Sequence, residues 1–143
     1  MKHKEMDVYY CGNWHHGKAI GTGLSYVPDS YIYKGDFDEG RPNGEGTLNF
    51  IDSEAYFKGR FVDGKAHGRG LFKDDLKGII VKGEWVNSEL GHGKIVFNCH
   101  KNIRSIEVID QNNGVINYQG DKVYKGEINR KFEPHGSGQL IYP

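Results

Sequence analysis

Residues 33–46 read YKGDFDEGRPNGEG, and residues 57–70 read FKGRFVDGKAHGRG, with glycines at the same places. Glycine loses more conformational freedom on ordering than any other residue, so four in fourteen positions need a physical reason. Taking Gly35 as anchor, Tyr33 lies two residues before it and Phe37 two after, and Gly40, Gly44 and Gly46 follow at fixed offsets. The same offsets around Gly59 give Phe57, Phe61, Gly64, Gly68 and Gly70, and around Gly12 they give Tyr10, Trp14, Gly17, Gly21 and Gly23.

Two further copies are looser. Around Gly83 stand Val81 and Trp85, Ser88 replaces the first turn glycine, and Gly91 and Gly93 arrive one residue early. Around Gly126 stand Tyr124, Ile128 and Lys131, and Gly136 and Gly138 arrive one residue late. The anchors Gly12, Gly35, Gly59, Gly83 and Gly126 are 23, 24, 24 and 43 residues apart. The last interval is nearly two periods, so a degenerate copy is expected at about 104–123, where two alternating apolar runs flank Asn112-Asn113-Gly114.

One unit reads as a β-hairpin. Tyr33, Gly35 and Phe37 are two apart and share a face of an extended strand, with Lys34 and Asp36 on the other. The turn is expected over Gly40–Gly44 and a returning strand after it, with Leu48 and Phe50 on one face. Gly35, between two aromatics of its own face, leaves room for neighbouring rings or a crossing backbone. Three ladders follow from comparing units: Tyr10, Tyr33, Phe57, Val81 and Tyr124; Trp14, Phe37, Phe61, Trp85 and Ile128; and, on the returning strands, Ser25, Leu48, Phe72, Ile95 and Leu140. Packing between repeats is the plain reading of most of these residues.

The pattern Tyr/Phe-x-Gly-x-Trp/Phe-x-x-Gly-x-x-x-Gly-x-Gly resembles the MORN repeat (membrane occupation and recognition nexus). The resemblance covers residues 9–143, after an N-terminal extension of residues 1–8, and comprises about six hairpin repeats. It implies an all-β fold, a single elongated, twisted antiparallel sheet of consecutive hairpins, and work in scaffolding, dimerisation or localisation, with lipid binding proposed for some members. Ser88, Lys131, the shifted glycines and the decayed fifth unit depart from the pattern, and a bulge, bend or partner-specific surface is expected between residues 86 and 123.

Composition agrees with a thin repetitive structure. The 143 residues are 36% hydrophobic and include 21 glycines, and the mean hydropathy is −0.68. Nineteen basic residues balance 19 acidic ones without long runs of either sign, which argues against a nucleic-acid partner. Cys11 and Cys99 have no metal-ligand spacing and read as free thiols, no eighteen apolar residues run together, and the first ten residues lack a signal-peptide core. A cytoplasmic protein is expected, with peripheral attachment to a membrane or the cytoskeleton as the extension of that reading.

No catalytic residue, metal site or cofactor is expected. The chain lacks HExxH, GxxxxGK[ST] and GxSxG, and the HGSG at 135–138 belongs to the repeat's glycine pair. His67 and His135 occupy the position of Asn43 in the second unit, which points to a turn role. Some larger family members join the repeats to a lysine methyltransferase or lipid kinase domain, for which no residues remain here.

Two surfaces are candidates. Lys34, Lys58, Lys82 and Lys125 fall at one repeat position and form a stripe beside the mixed Asp36, Arg60, Glu84 and Glu127; a solvated sheet face is the plainer reading and an anionic surface the functional one. A one-layer sheet with its aromatic ladders on one face also calls for cover from a second copy or a partner helix. Contact is expected near Trp85, Phe97, Leu140 and Tyr142. The leading function is thus a non-enzymatic scaffold for a protein partner or a homodimer. The alternatives are recruitment to anionic phospholipid and a regulatory subunit that positions a catalytic partner.

Overall fold

The computed structural model describes residues 2–3 and 8–143. Its strands are β1 (Lys2–His3), β2 (Val8–His15), β3 (Lys18–Val27), β4 (Tyr31–Asp38), β5 (Arg41–Phe50), β6 (Ala55–Val62), β7 (Lys65–Asp74), β8 (Ile79–Val86), β9 (Glu89–Phe97), β10 (Ile103–Val108), β11 (Asn113–Tyr118), β12 (Val123–Ile128) and β13 (Pro134–Ile141). They form one antiparallel sheet in which spatial order is sequence order, and the described residues contain no helix. β2–β13 are six successive hairpins. Of the N-terminal extension of residues 1–8, residues 1 and 4–7 lie outside the described residues; Lys2 and His3 pair with Tyr9 and Val8.

Register explains the glycines. Gly12 faces Gly23, which faces Gly35, and the row continues through Gly46, Gly59, Gly70 and Gly83 to Gly93. Val108 interrupts it, and Gly114, Gly126 and Gly138 complete it. A Cβ on Gly46 would collide with the Tyr33 ring and hydroxyl, one on Gly70 with the Phe57 ring, and one on Gly138 with the Tyr124 hydroxyl. The first-ladder rings therefore lie flat over paired glycines. Each tyrosine among them donates its hydroxyl to the carbonyl three residues on: Tyr10 to Asn13 at 3.0 Å, Tyr33 to Asp36 at 2.8 Å, Tyr124 to Glu127 at 2.7 Å.

The expected turn over Gly40–Gly44 is corrected. The turn is Glu39–Gly40 alone, both at positive φ (51° and 80°), a two-residue turn whose twist suits a hairpin. Gly44 belongs to β5, in a bulge: between the Gly35–Gly46 and Phe37–Pro42 pairs, β4 advances two residues and β5 four. The Asp36 carboxylate closes this bulge by accepting the Glu45 N–H at 3.0 Å, and Glu127 accepts the Ser137 N–H at 2.7 Å in the last hairpin. Bulges bend a strand and increase its twist, so repeating one in successive hairpins coils the sheet. The early glycines of the fourth unit are absorbed by a shorter bulge between Glu84–His92 and Trp85–Leu90, and the late ones of the last unit by the longer loop between β12 and β13. Ser88 takes the φ of its missing glycine, 69°.

The aromatic face is largely covered by its own rings. Tyr33, Phe37, Phe57 and Phe61 are buried together with Ala19 and Ala66, and Val81, Ile95, Ile106, Val108, Ile116, Tyr124 and Ile128 form a second buried cluster. Phe72 and Trp85 pack against both. Rings laid across glycines shield one another laterally, which an upright side chain could not do. In the degenerate unit, Ile106 and Ile116 take the ladder places between Ile95 and Tyr124.

Two predictions follow from the ring-on-glycine contact. Gly46→Ala, at an ordinary φ but against the Tyr33 ring, should lower stability by about 1–3 kcal/mol in urea titration, the usual penalty for overpacking. An unchanged midpoint would show that the ring is not confined. Burial, and then the nearby Asp36 carboxylate, pushes the Tyr33 hydroxyl up to about 12. Its unfolded counterpart ionises near ~10, so above that pH the unfolded chain binds fewer protons and stability falls. This contribution is intact below pH ~10 and is lost as pH rises toward ~12, a fall on the order of 2–3 kcal/mol. The Tyr33→Phe variant, itself weaker by about 0.5–1.5 kcal/mol for the lost hydrogen bond, should lack that alkaline fall; parallel curves for the two proteins would contradict the assignment.

Candidate functional site

On the face opposite the rings, Lys34 lies between Leu24 and Thr47, Lys58 between Thr47 and Leu71, and Lys82 next to Leu71. These three lysines recur every second strand, ~9.6 Å apart at ordinary strand spacing. The next residue in the row is Lys94, directly opposite Lys82. Beyond it come Glu107 and Val115 before Lys125. The expected stripe of four thus divides, with Lys34, Lys58 and Lys82 on one side, extended by Lys94, and Lys125 set apart beyond an acidic residue. Reading outgoing strands alone misses Lys94, which stands on a returning strand where other units carry Leu24, Thr47, Leu71 and Gln139.

Between this row and the neighbouring charged row lies a trough of about 680 Å³ floored by Gly59, Gly70, Gly83 and Gly93. Its charged side chains are Glu45, Lys58, Arg69, Lys82, Glu84 and Lys94, with His92 beside them. Arg69 Nε pairs with Glu84 Oε1 at 3.4 Å. Among the described residues, Lys58, Lys82 and Lys94 enter no ion pair. Like charges facing each other across strands are destabilising, and Lys82 and Lys94 form such a pair, with Glu107 on the far side of Lys94.

The four residues expected at a partner interface share the aromatic face but separate along it. Trp85 is half-buried, edge-on to Phe57 at 5.1 Å, and its Nε1–H donates to the Gly70 carbonyl at 3.0 Å. Phe97, opposite Ile79 at the far end of β9, is half-buried against His100. Leu140, opposite Tyr124, is 44% exposed and Tyr142 67% exposed. Trp85 therefore belongs to the seam between the two clusters, at the hairpin-tip end of its strand, whereas Leu140 and Tyr142 present open apolar surface.

A second concavity, about 600 Å³, lies on the aromatic face beside Trp85 and reaches His135 on β13. Asp110 stands on its rim, but its carboxylate is committed to a turn: bonds from the Asn112 N–H, then from Asn113, hold it below the ordinary carboxylate range. His67 and His135 are exposed. The described His, Cys, Asp and Glu side chains do not gather into a group of three or more that could hold a metal ion.

The MORN repeat family model matches residues 10–24, 33–53 and 57–75. No curated protein matches the chain. The matched segments fall in the first three hairpins, and the three hairpins that follow continue the same glycine row with one interruption. Residues 10–75 are a run of MORN repeats.

Proposed function

We propose that the chain is a non-enzymatic interaction scaffold that binds a protein partner or a second copy of itself through the aromatic side of β13. The observation that carries this reading is the exposure of β13 along its whole length, with Leu140 and the adjoining Tyr142 presenting apolar surface. Contiguous exposed apolar residues on a strand favour association. Cys11 and Cys99 are free and exposed, in keeping with a reducing, cytoplasmic compartment. Light scattering over a concentration series should show a species heavier than the 16.2 kDa monomer, shifted to monomer by Leu140→Lys with Tyr142→Lys. A protein that remains monomeric throughout, in both forms, would remove self-association and leave capture of a different partner to be sought.

The lysine trough supports a second reading, recruitment to an anionic phospholipid surface, because Lys82 and Lys94 face each other and neither enters an ion pair among the described residues. Basic residues near such a surface contribute about 1 kcal/mol each, and salt screens them. Replacing Lys58, Lys82 and Lys94 by Gln should abolish flotation with phosphatidylserine vesicles at low salt, while Lys125→Gln should leave it nearly unchanged. Equal flotation by all forms would dismiss the trough as the lipid contact.

A further inference from the structure

Seven rings form an unbroken edge-to-face chain: Trp14, Tyr10, Phe37, Tyr33, Phe61, Phe57 and Trp85, with successive centroids 4.8–5.4 Å apart. It stops at Trp85. The repeat explains why: the second-ladder place, two residues beyond the glycine row, holds Trp14, Phe37, Phe61 and Trp85, and in the fifth unit it falls on Asp110. There β10 has ended at Val108, and the Asp110 carboxylate accepts the Asn112 and Asn113 N–H groups at 2.8 and 2.9 Å instead of a ring reaching the core. The first-ladder place of the fourth unit is also without a ring, being Val81.

The missing volume is the cavity of about 600 Å³ beside Trp85. Its floor is Val81, Ile95, Val108 and Ile128, each buried, and Trp85 and Phe132 form walls. The size is ordinary for a ligand pocket, and the apolar floor gives way to polar side chains around the mouth. Asp110 and Asn129 are held there by turn hydrogen bonds beside Gln111 and Asn112, whereas Glu89, Arg130 and His135 have no side-chain hydrogen bond or ion pair among the described residues. The hydrogen bond from Trp85 Nε1 to Gly70 fixes the indole, so a guest would meet a preorganised ring wall.

We propose that this cavity is a binding site for one aromatic ring supplied from outside the chain, which takes the place of the absent ladder ring and continues the edge-to-face series from Trp85. Offset or edge-on pairs at such separations are favourable beyond the area they bury. A hydroxyl or similar polar substituent on the ring would lie at the mouth, within the reach of Glu89, Arg130 and His135. The ring can come from a free small molecule or from an aromatic side chain of a peptide, and the site does not depend on the association of β13.

The test uses the whole chain and the indole N–H resonances of its two tryptophans, assigned with Trp14→Phe. Titration with p-cresol should shift the Trp85 resonance saturably and leave that of Trp14 in place, whereas cyclohexanol, similar in size but without a ring, should bind at least tenfold more weakly. The peptide Gly-Tyr-Gly, with Gly-Gly-Gly as control, identifies the source: tighter binding than p-cresol marks a peptide side chain, weaker binding a free small molecule. Val108→Phe, which refills the space, should abolish the shift and raise the thermal midpoint. Should that variant not fold, Phe132→Ala, which removes one wall, should weaken binding at least tenfold. The proposal is overturned by the absence of a saturable Trp85 shift with either ring probe, by an equal response to cyclohexanol, or by unchanged binding in the folded variants.

Discussion

A ring can lie flat on a β-sheet only where the strand beneath it and the strand beside it both lack side chains, and the paired glycines of this sheet meet that condition rung after rung. Tyr33 covers Gly35 and Gly46, and its hydroxyl reaches the Asp36 carbonyl. Lying down, the ring becomes the edge partner of Phe37 on its own strand and of Phe61 two strands away, both at 5.1 Å. Burial, inter-repeat cohesion and fixed register thus come from one arrangement. It also explains how a thin sheet, without a helical layer among the described residues, reaches complete burial of Tyr33.

Much of this was legible in the amino-acid order. Period-two placement of Tyr33, Gly35 and Phe37 assigns the face, and the recurrence of glycines counts six hairpins, including the one hidden in the long interval. Cross-strand register was harder to see. The bulge inserts extra residues on the returning strand, so the first glycine of each Gly-x-Gly pair looked like the end of a turn when it lies within a strand. The same blindness concealed Lys94: its place opposite Lys82 exists only once the shortened bulge of the fourth hairpin is known.

The candidate surfaces were less readable for a related reason. Lys34, Lys58, Lys82 and Lys125 are equivalent by repeat position, but Glu107 and Val115 come between the third and the last in space. Trp85 looked like an interface residue because spacing alone does not say whether an aromatic is covered; Phe57 and Gly70 cover it from one side. The fifth unit was recognised as decayed, yet decay in sequence is not disorder in space. Its aliphatic residues keep the ladder continuous through Ile106 and Ile116, while the place of one ring is given up to a turn.

Every strand from β2 to β12 is bonded to its immediate predecessor and successor in the chain, and from this follows a consequence for how the molecule assembles. Loop closure is short at every step, so contact order is low and each completed hairpin templates the next without a long search. Such a sheet behaves as a one-dimensional array whose cooperativity is limited by its weakest junction. From β2 to β13 the shortest ladder is in the fifth unit, where β10 and β11 are six residues long, β10 meets β9 through four residue pairs, and Val108 replaces a glycine of the row. The buried cluster from Val81 through Ile106 and Ile116 to Ile128 runs through this unit, so packing couples the fourth hairpin to the sixth where the ladder is shortest.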